Sequence, residues 1–107
     1  MQGINDQDWN LFRNLVPVWQ EQHTKRLVES YQRVLDSDTT ASDKFWKLEQ
    51  KINADKVHSG VRLPYRMSRA NVVYNLCALL RDGTICAHDL DGFSEELRQV
   101  VMQRCLM

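Results

Sequence analysis

The sequence predicts an all-α fold, a bundle of four to five helices with a basic loop just ahead of the central one. Three observations point to it. Apolar residues recur at steps of three and four along most of the chain. Short polar capping residues and a few Gly and Pro punctuate that pattern. The 107 residues carry 43% hydrophobic and 26% charged side chains, an ordinary balance for one globular domain, so residues 1–107 are read as a single helical unit.

The first apolar stripe is the longest. Trp9, Phe12, Val16, Trp19, His23, Leu27, Tyr31 and Val34 form one helix face. Asn5 or Asp6 suits its N-cap. Pro17 lacks a backbone donor and disfavours helix at Val16. The spacing therefore predicts a short helix followed by a second one beginning near Pro17, where proline fits a first turn. Residues 36–40, Asp-Ser-Asp-Thr-Thr, stop that helix, because short polar side chains compete for backbone hydrogen bonds. A third helix is expected over about residues 42–55, with Phe45, Leu48 and Ile52 inward, Trp46 at one edge, and Lys44, Lys47 and Lys51 on the opposite face.

Gly60 and Pro64 break helix, so residues 58–66 read as an extended loop. Ser68 is predicted to cap a fourth helix with Val72, Val73, Leu76, Leu79 and Leu80 on its apolar stripe. Asp82-Gly83 ends it where glycine is favoured. As the most hydrophobic helix it is expected at the centre. Thr84-Ile85-Cys86 reads as a short extended plug. A last helix is expected over about residues 89–105, with Leu90, Phe93, Leu97, Val100 and Val101 inward and a reset near Ser94, which with Glu95 and Glu96 makes a good helix start.

Composition excludes several classes of function. Fourteen Lys and Arg balance fourteen Asp and Glu, so the chain lacks the excess basic charge of a dedicated nucleic-acid binder, although a local patch can still grip phosphate. No apolar run is long enough to span a membrane. The polar, acidic start does not read as a signal or transit peptide. With that start, the odd set Cys77, Cys86 and Cys105 reads as reduced thiols in the cytoplasm.

The chemical motifs are weak. Asp82-Gly83-Thr84-Ile85 with Asp89 resembles the end of a calcium loop, but Ala78 and Leu80 stand where the first carboxylates belong. Asp36-x-Asp38-x-Thr40 lacks the central glycine. Cys86-x-His88 with Cys77 and Cys105 lacks the paired spacing of a structural zinc site. His23 falls on an apolar stripe and reads as a hydrogen-bonded core histidine. No nucleophile motif, phosphate loop or dinucleotide fingerprint occurs. The expectation is a protein that is not an enzyme, with no cofactor, metal or small-molecule substrate.

Charge is the strongest signal. Residues 56–69 hold four cations, Lys56, Arg62, Arg66 and Arg69, together with Tyr65 and no acid. Residues 82–96 hold five acids, Asp82, Asp89, Asp91, Glu95 and Glu96, and no Lys or Arg. The two blocks flank the apolar fourth helix. Such sorting predicts two surfaces of opposite sign and a protein that associates. The arginines are expected to meet the acidic corner of the same chain or of a second copy, or a nucleic acid, with Tyr65 stacking on a base and Asn71 and Asn75 on the polar face of the helix that follows.

The helix carrying Asp43 to Trp46, then Gly60-Val61, Asp82-Gly83, Asp89-Leu90, Phe93-Ser94 and Glu96-Leu97, resembles a group of small intracellular helical proteins from Gram-positive gut anaerobes with no established activity. The likeness covers nearly the whole chain and implies a self-contained cytosolic domain. The expected function is non-enzymatic binding of a macromolecular partner through segregated charged surfaces, with a homodimer as one form of it. Two alternatives stand beside it: a nucleic-acid-binding regulator, and a mobile-element or phage-encoded inhibitor of a host nucleic-acid enzyme.

Overall fold

The computed structural model describes residues 3–106. Among them are four α-helices: α1 (Asp6–Leu35), α2 (Ala41–Asp55), α3 (Val72–Arg81) and α4 (Glu95–Cys105). Short 3₁₀ turns, Arg69–Asn71 and Ala87–Leu90, precede α3 and α4. No strand occurs among the described residues, and the fold is all-α. The molecule extends 56 × 24 × 22 Å. Its length follows from α1, whose 30 residues at about 1.5 Å each make a rod of about 45 Å.

α1 runs unbroken through Pro17, which corrects the expectation of two segments. Proline cannot donate to the carbonyl four residues back, on Arg13. Both residues lie on the solvent side, where water can take that place. On the other side Phe12, Val16 and Trp19 are buried and hold the helix together across the gap. Asn5 is the cap: the Asp8 amide donates to its Oδ1 at 2.7 Å.

The core gathers the first half of α1, α3, α4 and the turns between them. Phe12, Val72, Leu76, Leu79, Leu97 and Val101 are fully buried. Ile85 plugs the corner after α3, as its place behind Gly83 predicts, and Gly83 has the positive φ of 78° that ends the helix. Asp8 fastens α1 to α4 from inside. Its carboxylate accepts the Ser94 amide at 2.9 Å and the Ser94 hydroxyl at 2.6 Å. Ser94 in turn accepts the Leu97 amide, so one serine both caps α4 and docks it.

Two helix starts differ from expectation. Ser68 makes no side-chain cap bond, and the chain enters α3 through a 3₁₀ turn instead. The last helix begins at Glu95, not Asp89, because the 3₁₀ turn ending at Leu90 is a separate element that buries Leu90 and then Phe93.

The larger correction concerns α2. Beyond His23, α1 leaves the core and pairs with α2 as a two-helix arm, joined by the Tyr31 hydroxyl donating to Asp55 at 2.7 Å. Thr40 caps α2 by accepting the Asp43 amide. No residue of α2 is buried. Leu48 is half-buried, but Phe45 is 63% exposed, Ile52 41% and Trp46 61%. The apolar stripe was legible, yet a two-helix arm can cover only its own seam. Among the described residues no third element stands over the far side.

Candidate functional site

The basic segment, residues 56–69, runs back along α3 and is pinned to it by backbone-directed bonds. The Ser59 amide donates to Asp82 Oδ2 at 2.7 Å, beside the end of α3. Midway, Asn75 accepts the Tyr65 amide at 3.1 Å and donates to the Tyr65 carbonyl at 3.3 Å. Asn71 donates to the Arg66 carbonyl at 3.0 Å. A carboxamide carries both a donor and an acceptor, so Asn75 satisfies both backbone groups of one extended residue. This corrects the placement of Asn71 and Asn75 on a ligand-facing surface. Asn75 is fully buried and clamps the segment from behind.

Gly60 completes the attachment. A Cβ there would stand 2.5 Å from Thr84 Oγ1 and 2.6 Å from the His23 ring, so only glycine allows the backbone this close. Gly60→Ala is expected to cost about 1–3 kcal/mol through overpacking, measured by urea denaturation. A loss under about 0.5 kcal/mol would show that the segment yields there.

Pinning leaves the cations outward. Lys56, Arg62 and Arg66 are exposed, and none forms an ion pair with a described carboxylate. Arg69 differs: it pairs with Asp6 at the start of α1. Tyr65 packs on Tyr74, with ring centroids 5.7 Å apart, and the Arg104 guanidinium lies 5.0 Å over the Tyr74 ring. These three residues and Arg81 border a cleft of about 360 Å³. A shallower hollow of about 830 Å³ is lined by Lys56, Val57, Val61, Arg62, Leu63 and Pro64. Arg81 and Arg104 were not expected here. They lie on α3 and α4, far from the basic segment in sequence, and only the fold brings them beside Tyr65.

The five acids of the corner are exposed, and two of them, Asp82 and Asp89, also bond to the backbone of their own turns. Asp82 stays exposed at the end of α3, and its carboxylate accepts the Thr84 hydroxyl at 2.6 Å as well as the amides of Thr84 and Ser59. Burial alone would raise its carboxyl pKa, but these hydrogen bonds outweigh burial and hold it below the ordinary value. Asp89 accepts the Cys86 amide at 2.8 Å and closes the 3₁₀ turn. Asp91 lies 2.9 Å from His88 Nδ1. Glu95 and Glu96 sit in the first turn of α4, where the helix dipole favours acids. The two charged blocks touch at Ser59 and Asp82, yet no ion pair joins Lys56, Arg62 or Arg66 to Asp82, Asp89, Asp91 or Glu95.

The contact missed in the sequence is a histidine pair. His23 Nε2 lies 3.3 Å from His58 Nδ1 and ties α1 to the basic segment. His23 is buried, as its stripe position predicts, but a partner 35 residues away carries no local signal. Burial lowers the His23 pKa, and the charges of His58 and Arg26 lower it further; Asp82 and Asp55 oppose them. A histidine with a depressed folded pKa stabilises fully above its unfolded value of about 6.5, and that stabilisation is lost as pH falls. The melting temperature is expected to drop as pH falls below about 6.5, and to drop less in His23→Leu. Equal slopes in both proteins would remove His23 as the cause.

Cys77 is buried against the Val101 carbonyl, and burial pushes its thiol up to about 12. All three cysteines are free thiols, Cys86 exposed and Cys105 half-buried. No group of three or more His, Cys, Asp or Glu among the described residues is placed to hold a metal ion. No helix among them is long and apolar enough to cross a membrane. Comparison with protein-family models, with curated proteins and with solved structures returns no match.

Proposed function

We propose that this protein is a non-enzymatic interaction module whose basic segment docks onto an acidic protein surface, in a reduced, cytoplasmic setting. The observation that carries the proposal is the combination of a clamped backbone with unneutralised cations. Asn75, Asn71, Asp82 and Gly60 hold the segment in one conformation, while Lys56, Arg62 and Arg66 stay outward without a described acidic partner. Fixing a charged segment in advance reduces the ordering cost of binding. Arginine favours carboxylates with bidentate geometry, and the apolar Val57, Val61 and Pro64 beside Lys56 and Arg62 suit a partner that alternates acidic and apolar side chains.

The test is a binding titration of labelled acidic polypeptide, with single- and double-stranded oligonucleotides as competitors for the same face. At about 50 mM salt the acidic polypeptide is expected to bind, and binding should fall at least tenfold at about 0.5 M salt. Arg62→Glu with Arg66→Glu should abolish it while leaving helicity unchanged. Binding of oligonucleotides alone would move the assignment to nucleic acid. No binding of either would refute it.

A further inference from the structure

The arm formed by α2 and the distal half of α1 has two unlike faces. One holds a cleft between the helices lined by Ser30, Arg33, Val34, Ser37, Lys47 and Lys51. That cleft fixes how the helices are turned. With Arg33 and Lys47 on one side of the seam, helical periodicity places Val28 and Leu35 of α1 on the other side. The same periodicity places Phe45 and Ile52 of α2 there, seven residues apart and therefore about two turns apart on one edge. Leu27, Tyr31 and Leu48 are half-buried in the seam between them. Trp46 sits against Phe45 in an edge-to-face contact, centroids 5.0 Å apart. The arm thus carries cations on one face and an uncovered apolar surface on the other.

We infer that this apolar face is the interface of a homodimer, in which the arms of two copies stack into a four-helix bundle. Area supports a second copy. An aromatic side chain buries about 150–250 Å², so Phe45 and Trp46, at 63% and 61% exposure, each keep roughly 100–150 Å² to cover. Val28, Leu35 and Ile52 are each about half exposed and add roughly 30–60 Å² apiece. Two copies then cover roughly 600–1,000 Å² of apolar surface, and since homodimer interfaces are about 65% apolar, the whole contact reaches roughly 1,000–1,500 Å². That range spans the about 1,200 Å² at which stable interfaces begin.

Charge agrees. Arg33, Lys47 and Lys51 face away from the proposed contact, so stacking opposes no like charges from that cluster. The chain as a whole is neutral and does not repel its copy. A two-helix arm buries only its seam, and an isologous pairing supplies the missing layer for both copies at once. The contact draws on α1 and α2 of the arm and not on Arg62 or Arg66, so different substitutions test it and the proposed docking function.

Light scattering coupled to size exclusion on the full chain decides it. At about 100 µM the mass is expected at twice the 12.6 kDa of one chain, and it should persist in about 0.5 M salt because the contact is apolar. Phe45→Glu, Ile52→Glu and Val28→Glu, all exposed in the protomer, should each halve the mass with helicity unchanged. Three results would overturn the inference: a monomer in the unaltered protein, a dimer that survives all three substitutions, or a dimer abolished instead by salt and by Arg62→Glu with Arg66→Glu. The last would place self-association on the charged surfaces.

Discussion

Leu76→Ala is expected to lower the free energy of unfolding by about 2–5 kcal/mol. Leu76 has no exposed surface and lies in the apolar cluster shared by α1, α3 and α4. Truncation removes its transfer energy and leaves a cavity, and the neighbours cannot close it easily. Phe12, Leu97 and Val101 belong to three-sided packing set by two other helices, with α1 and α4 fastened together through Asp8 and Ser94. Against a total stability of about 5–15 kcal/mol for a domain, such a loss is large. Urea denaturation followed by circular dichroism measures it. A change below about 0.5 kcal/mol would mean that α3 is not central.

Asn75→Ala is expected to cost about 2–4 kcal/mol, and it should also loosen the basic segment. Asn75 is as buried as Leu76, but its role is different. It holds the amide and carbonyl of Tyr65 together, and its loss leaves both groups without their partner as well as a void. The segment would then be held to α3 mainly near Ser59 and through Asn71. Amide exchange of residues 61–66 should therefore accelerate far more than that of α4. If the proposed docking function holds, affinity for acidic polypeptide should fall along with that protection, even though every cation remains. Stability lost without faster exchange in the segment would show that Asn75 supports the core and not the loop.

These two neighbours illustrate how much the sequence reveals. Leu76 was legible because a core leucine needs only periodicity: the steps from Val72 to Leu79 place it inward on any α-helix. Asn75 was read as surface, since an asparagine beside an apolar stripe usually faces water. Its partner is the backbone of Tyr65, and a backbone group has the same chemistry in every residue, so no side-chain pattern announces the contact. The same holds for His23 and His58, and for Arg81 and Arg104 beside Tyr65. Each is a meeting of elements distant along the chain.

The candidate site was legible in part. Lys56, Arg62 and Arg66 emerged as an exposed basic group because charge on a helix-breaking loop is rarely buried. Arg69, Asp82 and Asp89 also have partners within the chain that the sequence did not announce. Asp6 takes Arg69, and Asp82 and Asp89 accept backbone amides of their own turns. Acids following a helix end serve as caps as readily as surfaces, and composition cannot separate the two uses.

By itself the sequence determined the helical class, the stripes of α1 and α3, the stop at Gly83 and the concentration of positive charge ahead of α3. These follow from periodicity and backbone conformation, which act between near neighbours. The tertiary structure alone decided that α1 continues through Pro17, that α2 stands uncovered, that Asn75 turns inward, and that the two charged blocks meet at Ser59 and Asp82. Those outcomes depend on which surfaces lie within a few ångströms after folding, and packing energy is set by that proximity rather than by order along the chain.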